Sequence, residues 1–154
     1  MNQIFIFGAK YLFLIPIILY VLYFYKLEDK QKFLKINALA LPLSYILALI
    51  SRALYYNPRP FVEENLTSLI EHIADNGFPS DHMLLMASLA SIMMMFNKKL
   101  AYTLWIIGIF VGISRMFVGV HHFLDIMASI ILSIVSVLMI YFYDKRNAPS
   151  NIGK

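Results

Sequence analysis

Cysteine is absent from this sequence. That removes disulfide frameworks, thiolate metal sites and cysteine nucleophiles at once. Charge is scarce too: 14% of the residues are charged, where a soluble domain carries about a quarter. In their place 60% of the 154 positions are hydrophobic, with a mean hydropathy of +0.71. Long apolar runs account for the excess, so the bilayer is the expected solvent. There is no internal repeat and no low-complexity tract, and one domain spanning residues 1–154 is the economical reading.

Five apolar segments stand out, at Ile4–Tyr25, Ile36–Tyr56, Ser80–Phe96, Leu100–Val118 and His122–Tyr143. Each approaches the roughly 20 residues a spanning helix needs. The expected fold is an all-α polytopic transmembrane bundle of about five spanning helices plus a short interfacial helix. The first segment has no basic start, too long an apolar stretch and no small-residue cleavage site, so it reads as a retained helix rather than a signal peptide.

A net charge of +4 would suit nucleic acid, but the positions of the basic residues argue against it. Lys26, Lys30, Lys32 and Lys35 follow the first segment, Lys98 and Lys99 the third, and Lys145, Arg146 and Lys154 the fifth. Alternating helices put all three groups on one face. The other face holds the chain start and the Asn57–Pro79 connection, where Glu63, Glu64, Glu71 and Asp75 outnumber Arg59. The positive-inside rule then predicts an external amino terminus and a cytoplasmic carboxyl terminus. The basic residues are topology signals with anionic headgroups as neighbours, not a nucleic-acid patch. Within the outer connection, Leu66, Leu69, Ile70 and Ile73 recur at helical spacing before Gly77. Asn65–Asp75 is therefore expected to be a short amphipathic helix, lying in the interface or packed on the bundle.

The informative residues are polar ones in apolar segments. Arg52 and Arg115 lie near the ends of the second and fourth segments, Ser80, Asp81 and His82 open the third, and His121 and Asp125 open the fifth. An intramembrane charge costs about 2.5–3.5 kcal/mol on insertion scales, so such residues face a polar cavity with partners. Helix alternation brings all of them, with Arg59, to the outer end. Three guanidiniums converging on one place match the oxygens of a phosphate. Two histidines supply a nucleophile or base and an acid. Asp125 lies one turn after His121 and can fix its tautomer. Backbone N–H groups at Ser80 and Asp81 can meet an anion. Together these describe phosphoryl transfer without a metal or cofactor. The histidines lack a His-Glu-x-x-His spacing, and the arginines would repel a cation. His72 and His122 read as structural histidines with no catalytic role.

These residues resemble the type 2 phosphatidic acid phosphatase superfamily, which includes membrane lipid phosphatases and vanadium haloperoxidases. The resemblance rests on three blocks. Arg52-Ala-Leu-Tyr-Tyr-Asn-Pro-Arg59-Pro60 follows the family's first motif with arginine for lysine. Pro79-Ser80-Asp81-His82 follows the second with aspartate for glycine. Ser114-Arg115 through His121 to Asp125 fits the third throughout. The resemblance implies that Arg52, Arg59, Arg115 and Ser80 bind phosphate, that His121 attacks phosphorus with Asp125 orienting it, and that His82 protonates the leaving oxygen. Asp81 would orient an arginine or favour protonated His82. Family members usually have six helices, so five here implies that the first is missing.

Phe78-Pro79-Ser80-Asp81-His82 and Asn57-Pro58-Arg59-Pro60-Phe61-Val62 look most like bacterial undecaprenyl-diphosphate phosphatases of the bacitracin-resistance type. That implies a lipid-linked diphosphate cleaved at the outer face of the bacterial cytoplasmic membrane. Lipid A, phosphatidylglycerophosphate and phosphatidate phosphatases share the chemistry. A non-catalytic lipid-phosphate carrier would need the arginines but neither His121 nor His82. Haloperoxidase chemistry suits five spans poorly. Met83, Met86, Met93, Met94 and Met95 suggest either an adaptable groove for a lipid chain or apolar filler facing lipid. Gly108-x-x-x-Gly112 permits close helix packing or dimerisation, leaving the oligomeric state open.

Overall fold

The computed structural model describes residues 2–65 and 67–147, so Leu66 and Lys154 lie outside the described residues. Seven helices are described: α1 (Asn2–Lys10), α2 (Leu14–Lys26), α3 (Lys30–Leu54), α4 (Pro60–Glu63), α5 (Asp81–Met93), α6 (Lys98–Phe117) and α7 (Phe123–Asn147). All five expected apolar segments are helical. By length and composition α3, α6 and α7 can each cross a membrane, and α1 with α2, bent by 42° at their break, passes the same test only when the pair is counted as one span.

The bend has a cause in the sequence. Pro16 lacks an N–H, and its ring clashes with the carbonyl four residues earlier, at Leu12. The chain tightens there instead, with Leu14 N–H on the Tyr11 carbonyl at 3.0 Å and Ile15 N–H on that of Leu12 at 3.1 Å. What reads as one segment is thus two helices. The break frees the last carbonyls of α1 and turns Phe13 toward α5.

The third segment, α5, has 13 helical residues, about 20 Å, and so is shorter than a hydrocarbon core of about 30 Å. It occupies the middle of the bundle against α6 and α7, with ten of its residues buried. Met83, Met86 and Met93 are among them. These methionines therefore fill the protein core and do not face lipid. Gly108 and Gly112 let α6 approach α5: a Cβ at Gly108 would lie 3.0 Å from the Met86 Cβ, and one at Gly112 3.1 Å from the Met83 sulfur. The small-residue pair thus serves packing within the chain. Gly108→Val should lower the thermal midpoint in detergent by the equivalent of about 1–3 kcal/mol, the usual cost of overpacking; an unchanged midpoint would contradict this packing. On the other side of α5, Ser133 of α7 donates to the Leu84 carbonyl at 2.9 Å and lies 3.0 Å from the Ser88 hydroxyl. Small hydroxyl side chains let these backbones come close and still satisfy their polar atoms.

Lys35 donates to Asp144 at 2.8 Å, which places the start of α3 beside the end of α7. Alternation of α3, α5, α6 and α7 then puts the 55–80 connection and the α6–α7 turn together at the opposite end. No helix forms over Asn65–Asp75 among the described residues. The expected periodicity is there, but tertiary partners claim the backbone: Leu69 N–H donates to the Val118 carbonyl at 3.1 Å, and Ile70 is buried with Ala9, Val118 and Val120. The one short helix of this connection is α4, begun by Pro60 at its first turn. Gly77 ends no helix. A Cβ there would come within 3.2 Å of the Asp125 carboxylate and 3.3 Å of Arg59 Cγ, so glycine lets the connection lie directly on the polar cluster.

Candidate functional site

His121 occupies the turn between α6 and α7 and is 4% exposed. Its Nδ1 is 3.3 Å from Asp125 Oδ2. The same carboxylate accepts from His122 N–H at 2.8 Å and, on its other oxygen, from Asn57 Nδ2 at 2.8 Å. The fully buried carboxylate thus faces three donors. This places the His121 proton on Nδ1, leaving the Nε2 lone pair free.

That lone pair points at two guanidiniums. Arg59 Nη1 is 3.4 Å and Arg115 Nη2 is 3.5 Å from His121 Nε2. Arg59, 5% exposed, is fixed by Nη1 donating to the Val120 carbonyl at 2.8 Å and Nε to Asp75 at 2.7 Å. Burial opposes ionisation of Asp75, but the hydrogen bond and charge of Arg59 prevail and hold its pKa below the usual value. Arg115 donates through Nη1 to the Ala9 carbonyl at 3.3 Å, across to α1. Two atoms here are buried with no partner among the described residues: Arg115 Nε and the Ser80 hydroxyl. Unpaired buried donors are costly and rare. Arg115 Nε, with both guanidiniums on His121, is a donor suited to an anion with several oxygens.

Burial, reinforced by Arg115 and Arg59 and opposed by Asp125, pushes the His121 pKa down to about 4. The unfolded chain, with an ordinary histidine, binds this proton at higher pH. Between about 6.5 and about 4 the unfolded state therefore holds more protons, and stability falls as pH falls through that window. The thermal midpoint should drop on acidification from pH 7 to 4, and His121→Gln should flatten the drop. An equal slope in that variant would locate the titration elsewhere.

The other expected residues are arranged differently. Arg52 does not join Arg59 and Arg115 on His121. Its Nη2 pairs with Asp81 at 2.7 Å, and Nε and Nη2 donate to the carbonyls of Phe78 and Pro79 at 3.2 and 3.3 Å. Asp81 therefore orients an arginine, and the two departures from the family motifs are partners. Ser80 N–H donates to the Asp125 carbonyl at 3.3 Å, tying the start of α5 to the start of α7. The His82 ring meets Phe13 edge-on at 4.9 Å. A cavity of about 340 Å³ lies beside them, lined by Phe13, Asp81, His82 and Leu85. A second, of about 240 Å³, runs between α3 and α5 past Leu41, Tyr45 and Leu84, also reaching Asp81.

Three contributors escape a sequence reading based on charge and periodicity. Asn57 holds Asp125. Asn76 closes the connection, accepting from Asn57 N–H at 3.0 Å and Phe78 N–H at 2.9 Å and donating to the carbonyls of Arg52 and Tyr55 at 3.2 and 2.9 Å. His72 lies with its Nε2 3.2 Å from Arg115 Nη2. All three are loop residues in the connection that also carries Arg59, and neither charge nor apolar spacing says which buried group each of them meets. His122 is structural, placed between the Pro58 carbonyl and Glu63, each at 3.1 Å.

Comparison with known proteins places this geometry in context. The pattern of the PAP2 superfamily matches residues 33–148. The bacitracin transport permease protein BcrC of Bacillus licheniformis is 33% identical over 92% of this chain and 71% of its own length. The undecaprenyl-diphosphatase BcrC of Bacillus subtilis (strain 168) is 32% identical over 71% of this chain; the match spans 54% of that relative. The putative undecaprenyl-diphosphatase YbjG of Escherichia coli (strain K12) is 27% identical over 86% of this chain and 68% of its own. Among solved structures, Aquifex aeolicus LpxE superposes with a TM-score of 0.69 at 22% identity, covering 92% of this chain and 84% of that one. A PAP2-type phosphatidylglycerolphosphate phosphatase from Bacillus subtilis gives 0.64 at 20% identity, covering 97% and 79%. At these identities the superpositions speak to the fold.

Proposed function

The chain belongs to the PAP2 superfamily and is a multi-pass phosphatase of a bacterial membrane, and from that premise we propose that it hydrolyses undecaprenyl diphosphate to the monophosphate through a phosphohistidine at His121. The observation that carries the mechanism is the His121 Nε2 lone pair facing Arg59 and Arg115 while Asp125 holds the opposite nitrogen. The choice of substrate is supported by the two relatives whose names specify undecaprenyl diphosphate.

The terminal phosphate lies between Arg59 and Arg115, with the Ser80 hydroxyl and Arg115 Nε as further donors. Nε2 attacks the terminal phosphorus. An N–P bond forms as the bond to the bridging oxygen breaks, and that oxygen leaves with the electron pair on the lipid monophosphate, taking a proton from His82. Charge on the equatorial oxygens is met by fixed guanidiniums. Neutral His82 then takes a proton from water as its oxygen attacks phosphorus; the N–P electron pair returns to Nε2 and phosphate departs. Asp125 stabilises the positive charge on the phosphorylated imidazole. No step calls for a metal, and EDTA should leave the rate unchanged; loss of activity restored by a divalent cation would defeat this mechanism.

A carrier that only binds lipid phosphate has no use for the Asn57–Asp125–His121 chain, which controls a lone pair. The test of substrate is phosphate release by purified protein from undecaprenyl diphosphate, lipid A, phosphatidylglycerophosphate and phosphatidate. The first should have the highest kcat/KM, and turnover confined to lipid A would reject the assignment. Overexpression should also raise bacitracin tolerance, since that antibiotic sequesters undecaprenyl diphosphate.

The site belongs on the extracytoplasmic side in this proposal. The cysteine-free chain allows a clean check with single cysteines at the exposed positions Glu64 and Lys30. An impermeant maleimide on intact cells should label position 64 and spare position 30; the reverse pattern would invert the topology.

A further inference from the structure

We infer that His72 is a positioning residue of the phosphate site, whose Nε2 lone pair holds the Arg115 guanidinium with its Nη2 beside His121 and its Nε–H left unpaired. The inference rests on the reading that Arg115 binds the transferred phosphate. Arg115 carries five N–H donors in one plane. Nη1 is held by the Ala9 carbonyl at 3.3 Å, a carbonyl in the last turn of α1 with no helical donor of its own. Nη2 lies between two imidazoles, 3.2 Å from His72 Nε2 and 3.5 Å from His121 Nε2. Nε is buried and unpaired. A planar group fixed at both terminal nitrogens has its Nε–H direction fixed as well.

An arriving phosphate can then take Nε–H and the Nη2 hydrogen that rests on His121. This is the side-on fork that suits a tetrahedral anion. The second Nη2 hydrogen stays on His72. Removing that acceptor leaves the guanidinium, once the phosphate has taken the hydrogen that rested on His121, with Ala9 as its one protein partner, free to swing its fork off the phosphate.

His72 must be a neutral acceptor at Nε2 for this role. Its Nδ1 is 3.3 Å from the Ile73 carbonyl, which suits a proton there. Burial first, then the charge of Arg59, lowers its pKa below the ordinary histidine value. The ring also meets that of His121 edge-on at 6.4 Å. Its place is not needed to hold the connection down. Leu69 on Val118, Asp75 on Arg59 and the bonds of Asn76 already do so.

Inorganic phosphate is the probe, since it reports on the pocket whatever lipid is the substrate. It should raise the thermal midpoint of the full-length protein in detergent. In His72→Leu the phosphate concentration for half the effect should rise at least about tenfold, within the range for loss of a supporting hydrogen bond. His72→Gln, whose amide oxygen offers Arg115 an acceptor, should stay within about threefold of wild type on the same scale. The kcat/KM for a short prenyl diphosphate should follow the same order. Half-saturation unaltered in His72→Leu would overturn the inference and leave the phosphatase reading standing. So would equal impairment of both variants with a lowered phosphate-free midpoint, which would make His72 a loop anchor. Absence of any phosphate effect on the wild type would reject the reading of the pocket, and this inference with it.

Discussion

His121→Ala should lower phosphate release by at least about 10⁴-fold, the scale of losing a nucleophile. The protein should still fold and bind. Asp125 keeps two of its three donors, His122 N–H and Asn57 Nδ2, each at 2.8 Å. Arg59 retains the Val120 carbonyl and Asp75, and Arg115 retains Ala9 and His72. The cationic pocket therefore survives without the attacking atom. Binding should be little weakened while kcat collapses, a split that separates a nucleophile from a residue that merely holds substrate. Phosphate release within about tenfold of wild type would place the nucleophile elsewhere.

The second large effect is at Asp125, and here two substitutions should differ. Asp125→Ala leaves the His121 Nδ1–H, the His122 N–H and the Asn57 amide without their acceptor in a fully buried place. Each orphaned donor costs about 1–3 kcal/mol. The imidazole also loses both its preferred tautomer and its counter-charge, so the rate should fall about 10³- to 10⁴-fold. In Asp125→Asn the amide oxygen can keep facing His121 and His122, provided its NH₂ meets an acceptor on the other side. Asn57 supplies one by turning its own amide, since oxygen and nitrogen of that group exchange places at little cost. The tautomer is kept and only the charge is lost, so the fall should be about 10²-fold. Adding Asn57→Leu to Asp125→Asn removes the compensation and should restore the larger loss. Equal rates for Asp125→Ala and Asp125→Asn would show that Asn57 does not take part.

Much of this architecture is legible in the sequence because the bilayer makes departures conspicuous. A buried arginine or aspartate in an apolar run needs a partner, and alternating helices fix which end it occupies. That logic places His121, Asp125, Arg59 and Arg115 at one end, and the structure brings those four into contact. Periodicity is a weaker guide where tertiary partners compete. Leu69, Ile70 and Ile73 have helical spacing, yet Leu69 donates to Val118 and no helix forms there among the described residues. The break between α1 and α2 follows from Pro16, whose effect on Leu12 is local and readable, although the apolar run passes straight through it. Arg52 carries the charge expected of it, but charge alone does not say that Asp81, 29 positions away, will take it. His72 and Asn76 carry no mark of their contacts, and Asn57 shows only as the start of the Asn57-Pro58-Arg59-Pro60 block. Their roles exist only once the connection has folded over the end of the bundle.

The proposed reaction passes through a covalent bond to one nitrogen. The direct measurement is a rapid alkaline quench of wild-type protein turning over a diphosphate labelled at the terminal phosphorus, followed by peptide mass spectrometry. The expected result is an acid-labile, alkali-stable phosphoryl group on His121, formed within one turnover and absent from His121→Ala. Wild-type turnover with no label on His121 under that quench, or label on another residue that persists in His121→Ala, would contradict it.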